Sequence, residues 1–301
     1  MSRPVGVTAS AVVAILGSVF ALVFAVLAVA SLFVRMPKPQ PPIAAEAVIY
    51  SGAMFAALAG VGLWTAVGLF RLRPWARTSI LVFAVFVAVG SIFTLLVAMA
   101  MPMPPDISAG TERVLRQTMA AAFGIPLAIA VWWLIQFNRP STKAAFASPI
   151  PDVASSRPLS IAVIAWMSIV GGASCVLGIL TGTPLFLFGV NFNGWTAGVI
   201  YAFLGALSLY IGKGLLDLRE RARVLAIVWF AFSFVHSSLI ALVPSLQEGM
   251  LELQRGLDQN QPNPIAFDEG GMLSLIFAFG AIVAAAAIWF LIRSRGSFVR
   301  A

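Results

Sequence analysis

GLFRLRPWAR runs from Gly68 to Arg77, and GLLDLRERAR runs from Gly214 to Arg223. The two phrases stand 146 positions apart and agree at glycine, two leucines, arginine, alanine and arginine. Each lies between long stretches with no charged residue, with Lys213 alone standing between the second phrase and the stretch before it. A short basic phrase between two such stretches marks a tight turn between membrane-crossing helices. Its recurrence indicates a chain built twice over.

Composition agrees. The 301 residues are 60% hydrophobic and 10% charged, with a mean hydropathy of +0.98. A soluble domain carries about 25% charged residues. A chain this apolar cannot cover a water-facing surface, so lipid must be its solvent. The net charge of +8 is gathered into short clusters between apolar runs, which is the membrane pattern and not a nucleic-acid footprint. Cys175 is the only cysteine, so no disulfide can form within the chain, and no Cys/His spacing suits a metal.

Uncharged runs mark the spans: residues 4–34, 47–70, 78–105, 117–138, 224–247 and 270–292. Residues 158–212 also hold no charge and must contain two spans. The break between them lies in TGTPLFLFGVNFNGW, Thr181 to Trp195, where Pro184, Asn191, Asn193 and Gly194 interrupt a helix. A spanning helix needs roughly 20 apolar residues, and single spans in hydrocarbon must be helical to satisfy their backbone. The expected fold is all-α, a polytopic membrane helix bundle of eight transmembrane helices. Arg3 ahead of a long apolar run with Ala28-Val29-Ala30 imitates a signal peptide. The run exceeds the usual signal core of about 7–15 residues, so the first span is expected to stay.

Sliding the chain by 146 also matches Gly52, Ala56, Leu58 and Leu63 with Gly198, Ala202, Leu204 and Leu209. Beyond the turn, Val82, Phe86, Val89, Ser91 and Val97 meet Val228, Phe232, Val235, Ser237 and Val243. At other offsets Arg3-Pro4 meets Arg157-Pro158, Trp132, Leu134 and Ile135 meet Trp289, Leu291 and Ile292, and Lys143-Ala144 meets Arg300-Ala301. The reading is two four-helix membrane repeats, residues 1–146 and 157–301, joined by a Pro/Ser/Ala-rich linker at 147–156.

Charge placement orients them. With eight spans, one side holds both termini and the turns after spans two, four and six. That side takes Arg3, Arg71, Arg73, Arg77, Arg139, Lys143, Arg157, Lys213, Arg219, Arg221, Arg223, Arg293, Arg295 and Arg300, which is 14 of the 19 basic residues. Eight of the 11 acidic residues fall on the other side. Positive-inside placement puts both termini in the cytoplasm. An even number of spans per repeat makes the repeats parallel, related by an axis along the membrane normal.

Candidate site residues are few. Arg73/Arg77 and Arg219/Arg223 stand four residues apart, share a helical face and lie at headgroup depth, where they serve as anchors or hold anionic lipid. Trp75 suits the interface. His236, the only histidine, lies within the seventh span. An ionisable group there is a functional candidate. The plainer expectation is a neutral ring bonded to Ser233, Ser237 or a backbone carbonyl. Haem ligation is not expected from a lone histidine. Lys213, four residues before Asp217, suits snorkelling and a local ion pair.

Small residues at Gly52-Ala56-Gly60 and Gly194-Gly198-Ala202-Ala206 suggest close helix packing in spans two and six. SLQEGMLELQRGLD, Ser245 to Asp258, reads as an amphipathic helix with Leu246, Met250, Leu253 and Leu257 on one stripe. It suits the membrane interface, a lid over the bundle, or an extension of the seventh span. No nucleophile–base–acid set, metal motif or nucleotide fingerprint appears. No catalysis and no cofactor are expected.

The RPVGVT start, Arg3 to Thr8, and the GLFRLRPWAR turn resemble a widespread group of small bacterial inner-membrane proteins. These read R-P-x-G-V-T before a first span and G-L-W-x-L-R-x-W-A-R after a second. The second half matches more weakly: Ser160 stands for the glycine of the start, and Glu220-Arg221 for Pro-Trp. The resemblance implies fold and a location in the bacterial cytoplasmic membrane, and carries over no functional residue. The expected role is structural or interactive, with membrane lipid and a protein as partners and no nucleic acid. The alternative is a carrier of a lipid or small, largely uncharged molecule, with a path between the repeats near His236.

Overall fold

The computed structural model of the chain describes residues 4–31, 45–100, 108–147, 157–258 and 271–298. The linker beyond Ala147, Arg3 and the Arg300-Ala301 match lie outside the described residues, as do Arg35, Lys38, Asp106, Asp268 and Glu269.

The fold is an all-α polytopic bundle. Its elements are α1 (Val5–Ser31), α2 (Ala45–Phe70), α3 (Pro74–Ala100), α4 (Ala109–Asn138), α5 (Pro140–Ala145), α6 (Leu159–Leu180), β1 (Leu185–Leu187), β2 (Val190–Phe192), α7 (Gly194–Leu216), α8 (Glu220–Leu242), α9 (Pro244–Asp258) and α10 (Gly271–Arg293), with a 3-10 turn at Arg295–Ser297. Among the described residues eight helices are long and apolar enough to cross a membrane: α1 to α4, α6, α7, α8 and α10. The protein is an integral, multi-pass membrane protein.

The first span is inside-out relative to a soluble core. On α1 the buried positions are Val7, Ser10, Ala11, Ala14, Ser18 and Ala25, whereas Leu16, Val19, Phe20, Val23 and Phe24 point outward. Lipid tails are as apolar as leucine, so helices gain from close approach of small residues rather than from hiding large ones.

The described residues group into two compact units. One takes the chain up to Phe83 and again from Trp132, and the other takes Ala84–Val131 and the chain from Arg157 on. These cuts pass through α3 and α4, whereas the division read from the repeat falls at residues 146 and 157.

In the first unit α1 packs on α2. A Cβ on Gly62 would meet Ser18 Oγ at 2.2 Å, and one on Gly52 would meet Val29 at 3.3 Å. The start motif is explained at the other end of α1. The side-chain amide of Gln136, on α4, occupies the place a Cβ of Gly6 would take, with Nε2 2.1 Å from it. Gln136 Nε2 also donates to Thr142 Oγ1 on α5 at 3.4 Å, and both residues are buried.

In the second unit α6 packs on α7 and α8 on α10. The close seam of α7 is Gly205 and Gly212, not the Gly194-Gly198 stripe expected from sequence. A Cβ on Gly212 would lie 2.8 Å from Ala165 O, and one on Gly172 would lie 3.0 Å from Gly205 O, whereas Gly60, Gly194 and Gly198 face nothing within 4 Å. A small-residue stripe gives spacing but not azimuth.

The break between the fifth and sixth spans is an ordered β-hairpin. Leu185 pairs with Phe192, Phe186 with Asn191 and Leu187 with Val190. Its two-residue turn is Phe188-Gly189, at φ +49° and +89°. Positive φ at both central residues is the hand that a two-residue hairpin demands.

Candidate functional site

The twin phrases fold into the same turn. In the first, Arg73 N donates to Gly68 O at 2.9 Å and Leu72 N to Leu69 O at 3.1 Å. In the second, Arg219 N donates to Gly214 O at 2.9 Å and Leu218 N to Leu215 O at 3.1 Å. This paired closure is the Schellman helix end, which places one residue in the left-handed region. That residue is Leu72 at φ +49° and Leu218 at φ +54°. Glycine usually fills it, but here the glycine stands four residues earlier for another reason. A Cβ on Gly68 would sit 2.6 Å from Ala76 Cβ, and one on Gly214 would sit 2.4 Å from Ala222 Cβ. Glycine facing alanine lets the second helix leave the turn hard against the first.

The following helices start by two solutions to one problem. Pro74 opens α3 at a position where its missing N–H is not needed. Glu220 opens α8 and brings negative charge to the positive end of the helix dipole. The replacement of Pro-Trp by Glu-Arg therefore preserves the turn. Trp75, which has no counterpart in the second turn, stacks on Trp64 at 5.7 Å.

The four arginines singled out by spacing divide into two kinds. Arg73 and Arg219 are exposed. Arg219 pairs with Asp217 at 3.1 Å, so Asp217 is engaged by Arg219 and not by Lys213. Arg77 and Arg223 turn inward. Arg77 Nε donates to Phe137 O at 3.0 Å, and Arg223 Nη1 to Leu291 O at 3.4 Å. Both carbonyls lie in the last turn of a final span, α4 and α10, where the helix leaves acceptors without partners and its dipole is negative. Arg223 is buried, grips Glu220 through Nε at 2.8 Å and Nη2 at 2.5 Å, and lies 5.9 Å over the ring of Phe298. Each inner arginine thus caps the end of another helix from across the turn.

His236 lies in a setting that its sequence neighbours did not suggest. The hairpin brings Phe188 to 4.9 Å from the imidazole, edge to face. Phe277 of α10 stands edge-on at 6.2 Å, and Phe232 lies nearly parallel at 6.4 Å. Ser233 Oγ instead donates to Trp229 O at 3.0 Å, and Ser237 Oγ lies 3.2 Å from the place of a Gly280 Cβ. His236 Nδ1 is buried without a hydrogen bond.

The amphipathic helix is real and roofs the hairpin. Val243 is extended at φ −106°, ψ 105°, so α9 is a new helix and not a continuation of α8. Leu246 reaches over Gly189, and Phe186 lies beside Gly249. Gln247 Nε2 donates to Ala241 O and to Ser274 Oγ, both at 2.9 Å, and holds α9 down. Glu248 and Glu252 face outward.

Among the described residues no group of three or more His, Cys, Asp or Glu side chains gathers as metal ligands. The chain matches no protein-family model, no curated protein and no solved structure.

Proposed function

We propose that this is a non-catalytic structural or interaction protein of a bacterial cytoplasmic membrane, a tandem duplication of a four-span unit with both termini in the cytoplasm. The observation that carries this reading is the twin turn. Gly68/Ala76, Leu72 and Arg77 recur as Gly214/Ala222, Leu218 and Arg223 in geometry as well as in letters. The likeness of the start motif and first turn to small bacterial inner-membrane proteins supports the location, and the basic turns support the orientation.

Of each pair spaced four residues apart, one arginine stabilises the fold and the other faces outward. The outward pair, Arg73 and Arg219, supplies an anionic-lipid contact at the cytoplasmic face. Native mass spectrometry of the full chain released directly from membranes tests the reading. Retained anionic lipid or a protein partner is the expected result. Saturable uptake of a small neutral solute by proteoliposomes containing only this chain would replace it with the carrier reading.

A further inference from the structure

His236 lies inside a membrane span, and neither the twin turns nor the helix packing uses its imidazole. It sits six residues before the end of α8, about 9 Å from that end at 1.5 Å per residue. The end in question is the one remote from the arginine turn. Its surroundings are rings: Phe188, Phe232 and Phe277. The nearby hydroxyls do not serve Nδ1. Ser233 is spent on its own helix, and Nδ1 is buried with no hydrogen bond.

That burial assigns the proton. A buried N–H without an acceptor costs about 1–3 kcal/mol, and orphaned donors are rarer than orphaned acceptors. A neutral imidazole holds one proton, so it rests on Nε2 and Nδ1 keeps its lone pair. The ring therefore offers a donor, not an acceptor, to whatever approaches.

Phe188 is brought to this place by backbone strain. Leaving the right-handed or extended region costs an L-residue roughly 1–2 kcal/mol, and asparagine or glycine would fill the position more easily. Such outliers concentrate where function over-determines the structure. The hairpin is held by α9 above it, through Leu246 and Gln247. Phe188 and Phe232 are 39% and 37% exposed, so the ring set opens on one side. At this depth in a membrane protein, that side admits hydrocarbon-soluble molecules.

We propose that His236, Phe188, Phe232 and Phe277 form a binding site for a lipid-soluble molecule with a carbonyl on a planar ring, the chemistry of a quinone headgroup. The carbonyl oxygen accepts from Nε2–H. The planar ring lies against phenylalanine faces and edges, where offset and edge-on contacts are favourable. An apolar tail leaves through the open side. The proposal concerns binding alone and contains no electron transfer.

Because His236 is the only histidine, nitrogen-labelled histidine gives a single-site probe. The full chain, purified through a histidine-free tag and placed in lipid nanodiscs, is titrated with a short-tailed benzoquinone. The expected spectrum is a neutral ring protonated at Nε2, whose Nε2 resonance moves saturably with quinone and not with an alcohol carrying the same tail. His236→Phe keeps a ring among rings and should weaken quinone binding at least about tenfold, the loss of one hydrogen bond of about 1.4 kcal/mol. Phe188→Asn retains the hairpin with the preferred Asn-Gly turn and should weaken binding severalfold. A resonance that ignores quinone, an equal response to the alcohol, or undiminished binding by His236→Phe overturns the proposal.

Discussion

Leu72 and Leu218, 146 residues apart, hold the same left-handed backbone state, at φ +49° and +54°. The conformation costs each about 1–2 kcal/mol, yet the two are not equivalent. Leu218 is buried in a cluster with Leu215, Ala226 and Leu291, whereas Leu72 is only half-buried. Removing a buried leucine side chain costs about 2–5 kcal/mol. Leu72→Gly should therefore leave thermal stability within about 1 kcal/mol of the parent, and Leu218→Gly should lower it by roughly 1–3 kcal/mol. Melting of the two variants in detergent decides it. Equal effects would refute the assigned difference in packing.

Gly214→Ala should be among the most damaging small substitutions. The new Cβ falls 2.4 Å from Ala222 Cβ, two backbone-anchored atoms that cannot both stay, and overpacking of this kind costs about 1–3 kcal/mol. Exchanging the pair, Gly214→Ala with Ala222→Gly, should recover much of the loss. Gly6→Ala meets only the mobile end of Gln136 and should cost about 1 kcal/mol, the bond from Gln136 to Thr142. Detergent melting curves of these variants provide the ranking.

Arg223 and Arg219 should separate cleanly. Arg223→Ala removes a buried guanidinium that meets the partly exposed Glu220 and Leu291 O, and losing charge-assisted hydrogen bonds of this kind costs about 1.5–3 kcal/mol. The exposed pair Arg219–Asp217 is worth about 0–1 kcal/mol. Arg77→Ala, which loses one carbonyl contact, should fall between them. Similar melting temperatures for Arg223→Ala and Arg219→Ala would remove the capping role.

Lipid retention should rank the outer arginines the other way. Near an anionic surface each arginine contributes about 1 kcal/mol. Arg219 already engages Asp217, so Arg73→Gln should release more bound anionic lipid than Arg219→Gln. Both effects should shrink at high salt. Quantifying co-purified lipid at two salt concentrations is the check.

The spans were legible because charge is excluded from hydrocarbon, and uncharged runs need no knowledge of tertiary contacts. The likeness of the two turns was legible in their letters. Their geometry was not, since leucine in the left-handed region defies propensity, and the glycine serves packing instead of the bend. The division of each arginine pair was hidden for a similar reason: spacing gives a shared face, whereas the carbonyls of Phe137 and Leu291 lie far along the chain. The amphipathic helix was read from its stripe within one residue at its start. Pro184, Asn191, Asn193 and Gly194 signal only a break in the helix. LFL-FG-VNF does carry the alternative signal, β-rich residues on both sides of an X-Gly pair, masked by a phenylalanine where asparagine is usual. Without the hairpin, nothing in the letters brings Phe188 and its ring to His236.

Only residues 71–73 separate α2 from α3, and only 217–219 separate α7 from α8. A linker that brief, already bonded back onto the helix before it, does not let one span settle in the bilayer while its neighbour waits. During synthesis each such pair must enter the lipid as a preformed hairpin. A topological error in either pair would then invert both of its helices together.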